Sequence, residues 1–193
     1  MRTKSAVLAL SIIVLSLFTG KAIAEVRVYL ASPLGFSEAT RLFKDTRLKP
    51  ELEKLGFQVV DPWVLTPPDE VNRIQKLPYG LEQKNEWQKL NKQIGARNKS
   101  EIDRADIVVA ILDGPDVDSG TASEIGYAFA MKKRVFGYRN DFRSDSDDEG
   151  AVVNLQVEYF IRASGGTIAF DLDSLVKYFK GISAAVISLL LGN

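Results

Sequence analysis

"DIVVAILDGPDVDSGTASEIGYAFAMKKRV", residues 106–135, decides how the chain is built. Residues 107–112 are apolar without interruption and rich in β-branched side chains, the pattern of a strand buried on both faces. Gly114 and Pro115 punctuate its end. A helix is expected from about Thr121 to Lys132, after which "RVFGYR" reads as another short strand. Strand, loop, helix and strand in that order make a βαβ unit, and a parallel pair needs a crossover of this kind.

The same alternation extends in both directions. "VRVYLAS" (26–32) reads as a buried strand, followed by a helical pattern in which Phe36, Leu42, Phe43, Leu48, Leu52 and Leu55 recur. Pro50 is expected to break or kink that helix, or to begin its second segment. Gly56 closes it, and "FQVVDPW" is the next strand. Residues 61–80 hold Pro62, Pro67, Pro68 and Pro78 and are expected to form a long irregular loop, of the kind that is often functional. An amphipathic helix is expected near 82–104. Beyond the central unit come a polar acidic loop, "NDFRSDSDDEG", a helical "AVVNLQVEYFIRAS", a short strand "TIAF" and a closing helix. That last segment ends in an apolar run too short to span a membrane alone, expected to pack on the sheet or form a subunit contact. The whole reads as an α/β, flavodoxin-like doubly wound sandwich with a five-stranded parallel sheet in the order 2-1-3-4-5. Ligands of such sheets bind beyond the carboxyl ends of the strands, at the switch point between strands 1 and 3. Tyr29–Phe36 and Asp113–Glu124 are thereby expected at one crevice.

Composition limits the chemistry. The 193 residues suffice for one domain, and 25 basic residues against 25 acidic ones leave no basic excess for nucleic-acid binding. The chain has no Cys and no His. Thiolate nucleophiles, Cys-ligated metals, Ser-His-Asp triads and imidazole bases are all excluded. Any catalysis falls to Asp, Glu, Tyr, Ser, Lys or backbone groups, with no metal and no cofactor called for.

The first 24 residues stand apart. "MRTK" is positive, "SAVLALSIIVLSLF" is apolar and "TGKAIA" ends in Ala-x-Ala, the order of a secretory signal peptide cleaved after Ala24. Residues 25–193 then form the mature domain, with three more acids than bases because Arg2, Lys4 and Lys21 are lost. The expected location is periplasmic or secreted. The alternatives are an uncleaved N-terminal anchor, or a cytoplasmic protein with a misassigned start.

Two readings compete for the carboxylates at 113–124. In the structural one, Thr121 is the N-cap of the helix and Glu124 reaches back to it in a capping box; Asp118 sits by the positive helix end and Gly120 serves the turn. In the functional one, Gly120 lets a ligand approach the backbone and the helix N-terminus favours negative groups. Two carboxylates about 5 Å apart at a sugar carbon perform retaining glycosyl transfer, one attacking C1 and the other protonating the leaving group. That chemistry needs neither His, Cys nor metal.

"VYLASPLGF", the quoted central segment and "VVNLQ" together resemble the nucleoside 2-deoxyribosyltransferase family in order and spacing, across most of residues 26–160. The resemblance implies exchange of nucleobases on 2'-deoxyribonucleosides through a covalent deoxyribosyl intermediate. It implies that Glu124 is the nucleophile, that Asp118 handles the base or its proton, and that Tyr29 hydrogen-bonds Glu124 and tunes it. Asn154 falls on an asparagine that binds the sugar and in this family can come from a neighbouring subunit, which implies a homo-oligomer. Where many relatives have an Asp that contacts the base, this chain has Asn98, an amide that hydrogen-bonds a base edge but is a poor proton donor. Asp113 ends a strand at the crevice and either lines the site or caps the following turn. Ser32 is a candidate substrate donor, and Phe36 and Trp63 either stack on a base or pack the loops. Asp116 and residues 145–149 read as solvated loop charges. Two other functions remain open on the same scaffold: a nucleoside or nucleotide N-glycosidase, with water as acceptor, and a non-catalytic nucleoside-binding module.

Overall fold

The computed structural model describes residues 26–143 and 146–191. The expected leader lies outside the described residues. Strand β1 (Arg27–Ala31) leads into a helix α1 built in three pieces: Glu38–Phe43, a π turn over Lys44–Leu48, and Lys49–Lys54. Pro50 therefore begins the last of these pieces, one of the outcomes expected of it, rather than breaking the helix. It has no N–H to give the carbonyl four residues earlier, and the backbone widens instead, with the Lys49 N–H reaching the Lys44 carbonyl.

Strand β2 (Gln58–Val60) and a 3-10 turn (Pro62–Val64) follow. Next, where an irregular loop is expected, comes a helix α2 (Pro68–Gln75). Pro68 takes the first helical position, where a missing N–H costs nothing, and Asp69 and Glu70 face the positive helix end. Helix α3 (Leu81–Arg104) precedes β3 (Ile107–Ile111), and α4 (Ser119–Ala130) leads to β4 (Arg134–Tyr138). The last elements are α5 (Leu155–Ala163), β5 (Ile168–Ala169) and α6 (Leu172–Leu191). Helix α5 is shorter than the pattern implied. Asn154 caps it by accepting from the Gln156 N–H, and Glu158 turns back to accept from Val152, so residues 151–154 stay outside.

The sheet is parallel throughout, with the order β2-β1-β3-β4-β5. This is the flavodoxin-like doubly wound architecture expected from the alternation. Successive strand residues face opposite sides, so each strand feeds two cores. Val28, Leu30, Ile107, Val109 and Phe136 meet α1 and α6 on one side, through Leu48, Leu52, Phe179 and Ile182. Tyr29, Ala31, Val108, Ala110 and Val135 face α3, α4 and α5 on the other, through Ile102, Ile125 and Ile161. Each such side chain contributes about 1.5–3 kcal/mol on burial, enough to hold helices whose isolated stability is marginal. No helix among the described residues is long and apolar enough to cross a membrane.

Candidate active site

Tyr29 projects from the middle of β1 onto the α4 side of the sheet and is fully buried. Its hydroxyl donates to Glu124 Oε1 at 2.6 Å. Glu124 is free to accept because helix α4 begins earlier than Thr121. The N-cap is Asp118, whose Oδ2 accepts from the Thr121 N–H at 2.9 Å and from its hydroxyl at 3.2 Å. The expected Thr121 capping box therefore does not form. With the cap at Asp118, Glu124 lies in the second helical turn, too far along to reach back to the cap's N–H.

Burial pushes the Glu124 carboxyl above its ordinary range. The Tyr29 hydrogen bond pulls the other way, and the nearby charge of Asp118 pushes in the same direction as burial. Burial and the Glu124 charge drive the Tyr29 hydroxyl strongly upward, so it stays a protonated donor. The pair is a carboxylate held by a fixed phenol, beside a second carboxylate that also caps a helix.

Glu124, Asp118 and Gly120 line a cavity of about 610 Å³, a volume suited to a small organic ligand. Ser32, Phe36 and Asn98 line it too, from the end of β1, the following loop and α3. Gly120 has a local reason to be glycine: a Cβ there would sit 3.1 Å from Asp118 Oδ2 and crowd the carboxylate. Ser32 is mostly committed to its own turn, its Oγ accepting from the Leu34 N–H at 3.0 Å. Tyr29 lies behind Glu124 rather than on the cavity wall. Asp113 is not on the wall; its Oδ1 accepts from the backbone N–H groups of Asn140 and Asp141 at 2.6 and 3.0 Å, tying the loop after β4 to the end of β3. Asn154 is not on it either, being engaged as the cap of α5. Asp116 accepts from its neighbour's N–H, Val117, at 2.7 Å.

Lys44, Asp45 and Trp63 also line the cavity, and no motif in the sequence marks the first two. The only advance sign was the Pro50 that creates the π turn on which Lys44 stands. Among the described residues, no group of His, Cys, Asp or Glu side chains is arranged to hold a metal ion.

A parallel sheet in this order, with a cavity lined from the loops after β1, β2 and β3 and from the start of α4, defines a doubly wound ligand-binding scaffold. Residues 28–156 match the family described as nucleoside 2-deoxyribosyltransferase, and the chain belongs to that family. This is the family its three quoted segments resemble, and membership marks it as a nucleoside-processing enzyme, transferase or glycosidase. An uncharacterised protein of Schizosaccharomyces pombe is 28% identical, over 79% of this chain and 84% of its own. The fold is shared with a conserved protein of Enterococcus faecalis V583 (TM-score 0.61, 24% identity, 80% of this chain and 97% of that one). It is shared as well with a 2-deoxyribosyltransferase of Bacillus psychrosaccharolyticus (TM-score 0.52, 23% identity, 79% and 92%). A third similar structure is a 2-deoxyribosyltransferase of Leishmania mexicana (TM-score 0.55, 18% identity, 80% and 97%).

Proposed function

We propose that the protein transfers 2'-deoxyribose between nucleobases, through a covalent intermediate on Glu124. The observation that carries this reading is the 2.6 Å Tyr29–Glu124 contact at the wall of a cavity that Asp118 shares. A carboxylate oxygen of Glu124 attacks C1' of a 2'-deoxyribonucleoside, forming a C–O bond as the bond from C1' to the base nitrogen breaks. The base leaves with that electron pair and takes up a proton that Asp118 relays to it from solvent. An incoming base then attacks C1', gives its ring proton back to Asp118, and Glu124 departs as carboxylate. Tyr29 keeps Glu124 oriented and offsets part of the cost of its burial. Asn98 hydrogen-bonds the base edge, and Ser32, Phe36 and Gly120 shape the pocket.

Asn154 serves the sugar from a neighbouring subunit, a reading supported by its place beside the exposed Leu155 and Tyr159, away from its own chain's cavity. Export by residues 1–24 is a separate part of the proposal. N-terminal sequencing of protein recovered outside the cytoplasm tests it, with Glu25 expected first.

One assay tests the activity. The protein is incubated with deoxyinosine and adenine, and products are followed by chromatography. Deoxyadenosine is expected. Free hypoxanthine formed regardless of adenine would make the protein a hydrolase, and unchanged substrate across several nucleosides would leave it a binding module.

A further inference from the structure

A buried ion pair lies behind one side of the cavity, and the steps above make no use of it. Lys44 and Asp61 are 1% and 2% exposed, and the Lys44 ammonium donates to Asp61 Oδ2. The ammonium also lies 3.0 Å from Asp45 Oδ1. Both Lys44 and Asp45 border the cavity. Two opposite charges removed from water are costly to maintain when a pair of apolar side chains fills the same space, so their presence asks for a purpose.

The other oxygen of Asp61 supplies one. Asp61 Oδ1 accepts from the Trp63 backbone N–H at 3.0 Å, starting the 3-10 turn that carries the indole. The Trp63 indole N–H donates to the Ser32 carbonyl at 2.7 Å. Its ring lies so close over Gly35 that a Cβ there would come within 2.0 Å of it. Phe36 meets it at a right angle, with ring centroids 4.6 Å apart and planes at 81°. Trp63 is thus fixed at its backbone, at its indole N–H and by the glycine beneath it. Yet Trp63 and Phe36 remain 38% and 73% exposed, and both line the cavity. Two large perpendicular rings, the indole held at three points and both left uncovered in the cavity that Glu124 and Asp118 also line, form a corner for a flat heteroaromatic ring.

We propose that Trp63 and Phe36 are the stacking wall for the nucleobase, and that the Lys44–Asp61 ion pair is a positioning device that holds Trp63 there. This rests on the nucleoside reading above and adds the element that grips the base. A base packs its face on one ring and sets its edge against the other, which any base can do, so the wall gives affinity while polar groups such as Asn98 select.

The chain has two tryptophans, Trp63 and Trp87, so fluorescence can isolate the wall. In a Trp87→Phe protein, titration with free adenine is expected to quench the remaining emission. In a Trp63→Phe protein, where only Trp87 emits, quenching is expected to vanish. Trp63→Ala is expected to raise KM for deoxyinosine on the order of ten-fold with a much smaller effect on kcat. The double variant Lys44→Met, Asp61→Asn removes the buried pair and leaves only the half-exposed Asp45 to solvent, and is expected to raise KM similarly and blunt the quenching in the Trp87→Phe background. Turnover of deoxyribonucleosides with an unaltered KM in Trp63→Ala and no quenching would overturn the wall while leaving the nucleoside reading intact. An unaltered KM in the double variant alone would overturn the role of the ion pair. Absence of both turnover and adenine binding, measured by equilibrium dialysis on the unmodified protein, would remove the reading and the wall together.

Discussion

The Tyr29 hydroxyl and Glu124 Oε1 are 2.6 Å apart, although 95 positions separate the two residues in the chain. The contact joins the first strand to the helix after the third, the two elements that flank the switch point of the sheet. It places a fixed donor on a carboxylate whose pKa burial raises and this hydrogen bond lowers.

Removing that donor is expected to move activity along the pH axis. The Tyr29 bond lowers the Glu124 pKa, so Tyr29→Phe raises it further. A nucleophile must be ionised, so the acid limb of kcat/KM shifts to higher pH in Tyr29→Phe. A pH–rate profile measures this. An acid limb that stays in place would show that Tyr29 does not tune Glu124.

Asp118 carries a cap and a charge, and two substitutions separate them. Asn is as good an N-cap as Asp, whereas Ala costs about 1 kcal/mol. Asp118→Asn is therefore expected to keep the melting temperature, and Asp118→Ala to lower it by roughly 2–4 °C. Both lose the proton donor, so kcat falls on the order of 10²–10⁴-fold in each. Residual activity in Asp118→Asn has an acid limb shifted to lower pH, because the charge that raises the Glu124 pKa is gone.

Glu124→Gln is expected to lose turnover by on the order of 10³-fold or more while gaining stability at neutral pH. The Glu124 pKa is raised in the folded state, so the stability linked to it is present below the unfolded pKa and is lost as pH rises through the folded one. Above that window the native protein carries a charging cost that a neutral amide does not. Melting curves of the two proteins should converge in acid and separate toward neutrality, with the variant higher.

Gly35→Ala tests the packing of the aromatic corner. A methyl group there would meet the Trp63 ring at 2.0 Å, so the indole must move. The expected cost is about 1–3 kcal/mol of stability, read from denaturant unfolding. An unchanged midpoint would mean that the ring is not pressed against that glycine.

Much of the fold was legible because the strands are short, apolar on both faces and alternate with helical patterns, a combination that a helix-covered parallel sheet satisfies. The alternation then fixed which loops meet at the switch point. The helix at Pro68–Gln75 is hidden among prolines that usually break helices, although Pro68 with Asp69, Glu70, Val71 and Ile74 is a helix start followed by an apolar stripe. The helix start at Asp118 was misplaced by three residues because Asp118 and Thr121 are both good caps. That shift matters chemically, since a cap at Thr121 would have drawn Glu124 away from Tyr29. The Lys44–Asp61 pair was not legible at all. A cation and an anion 17 positions apart meet only through a π turn and a strand end, and neither advertises the other in the sequence.

In the proposed reaction Glu124 bonds to the sugar. The most direct measurement mixes the protein with a 2'-deoxyribonucleoside in the absence of acceptor base, quenches in acid and maps the peptides by mass spectrometry. An added deoxyribosyl group is expected on the peptide containing Glu124, absent from Glu124→Gln and discharged as a new nucleoside when adenine is supplied before the quench. Base exchange that proceeds with no adduct on that peptide, and persists in Glu124→Gln, would contradict it.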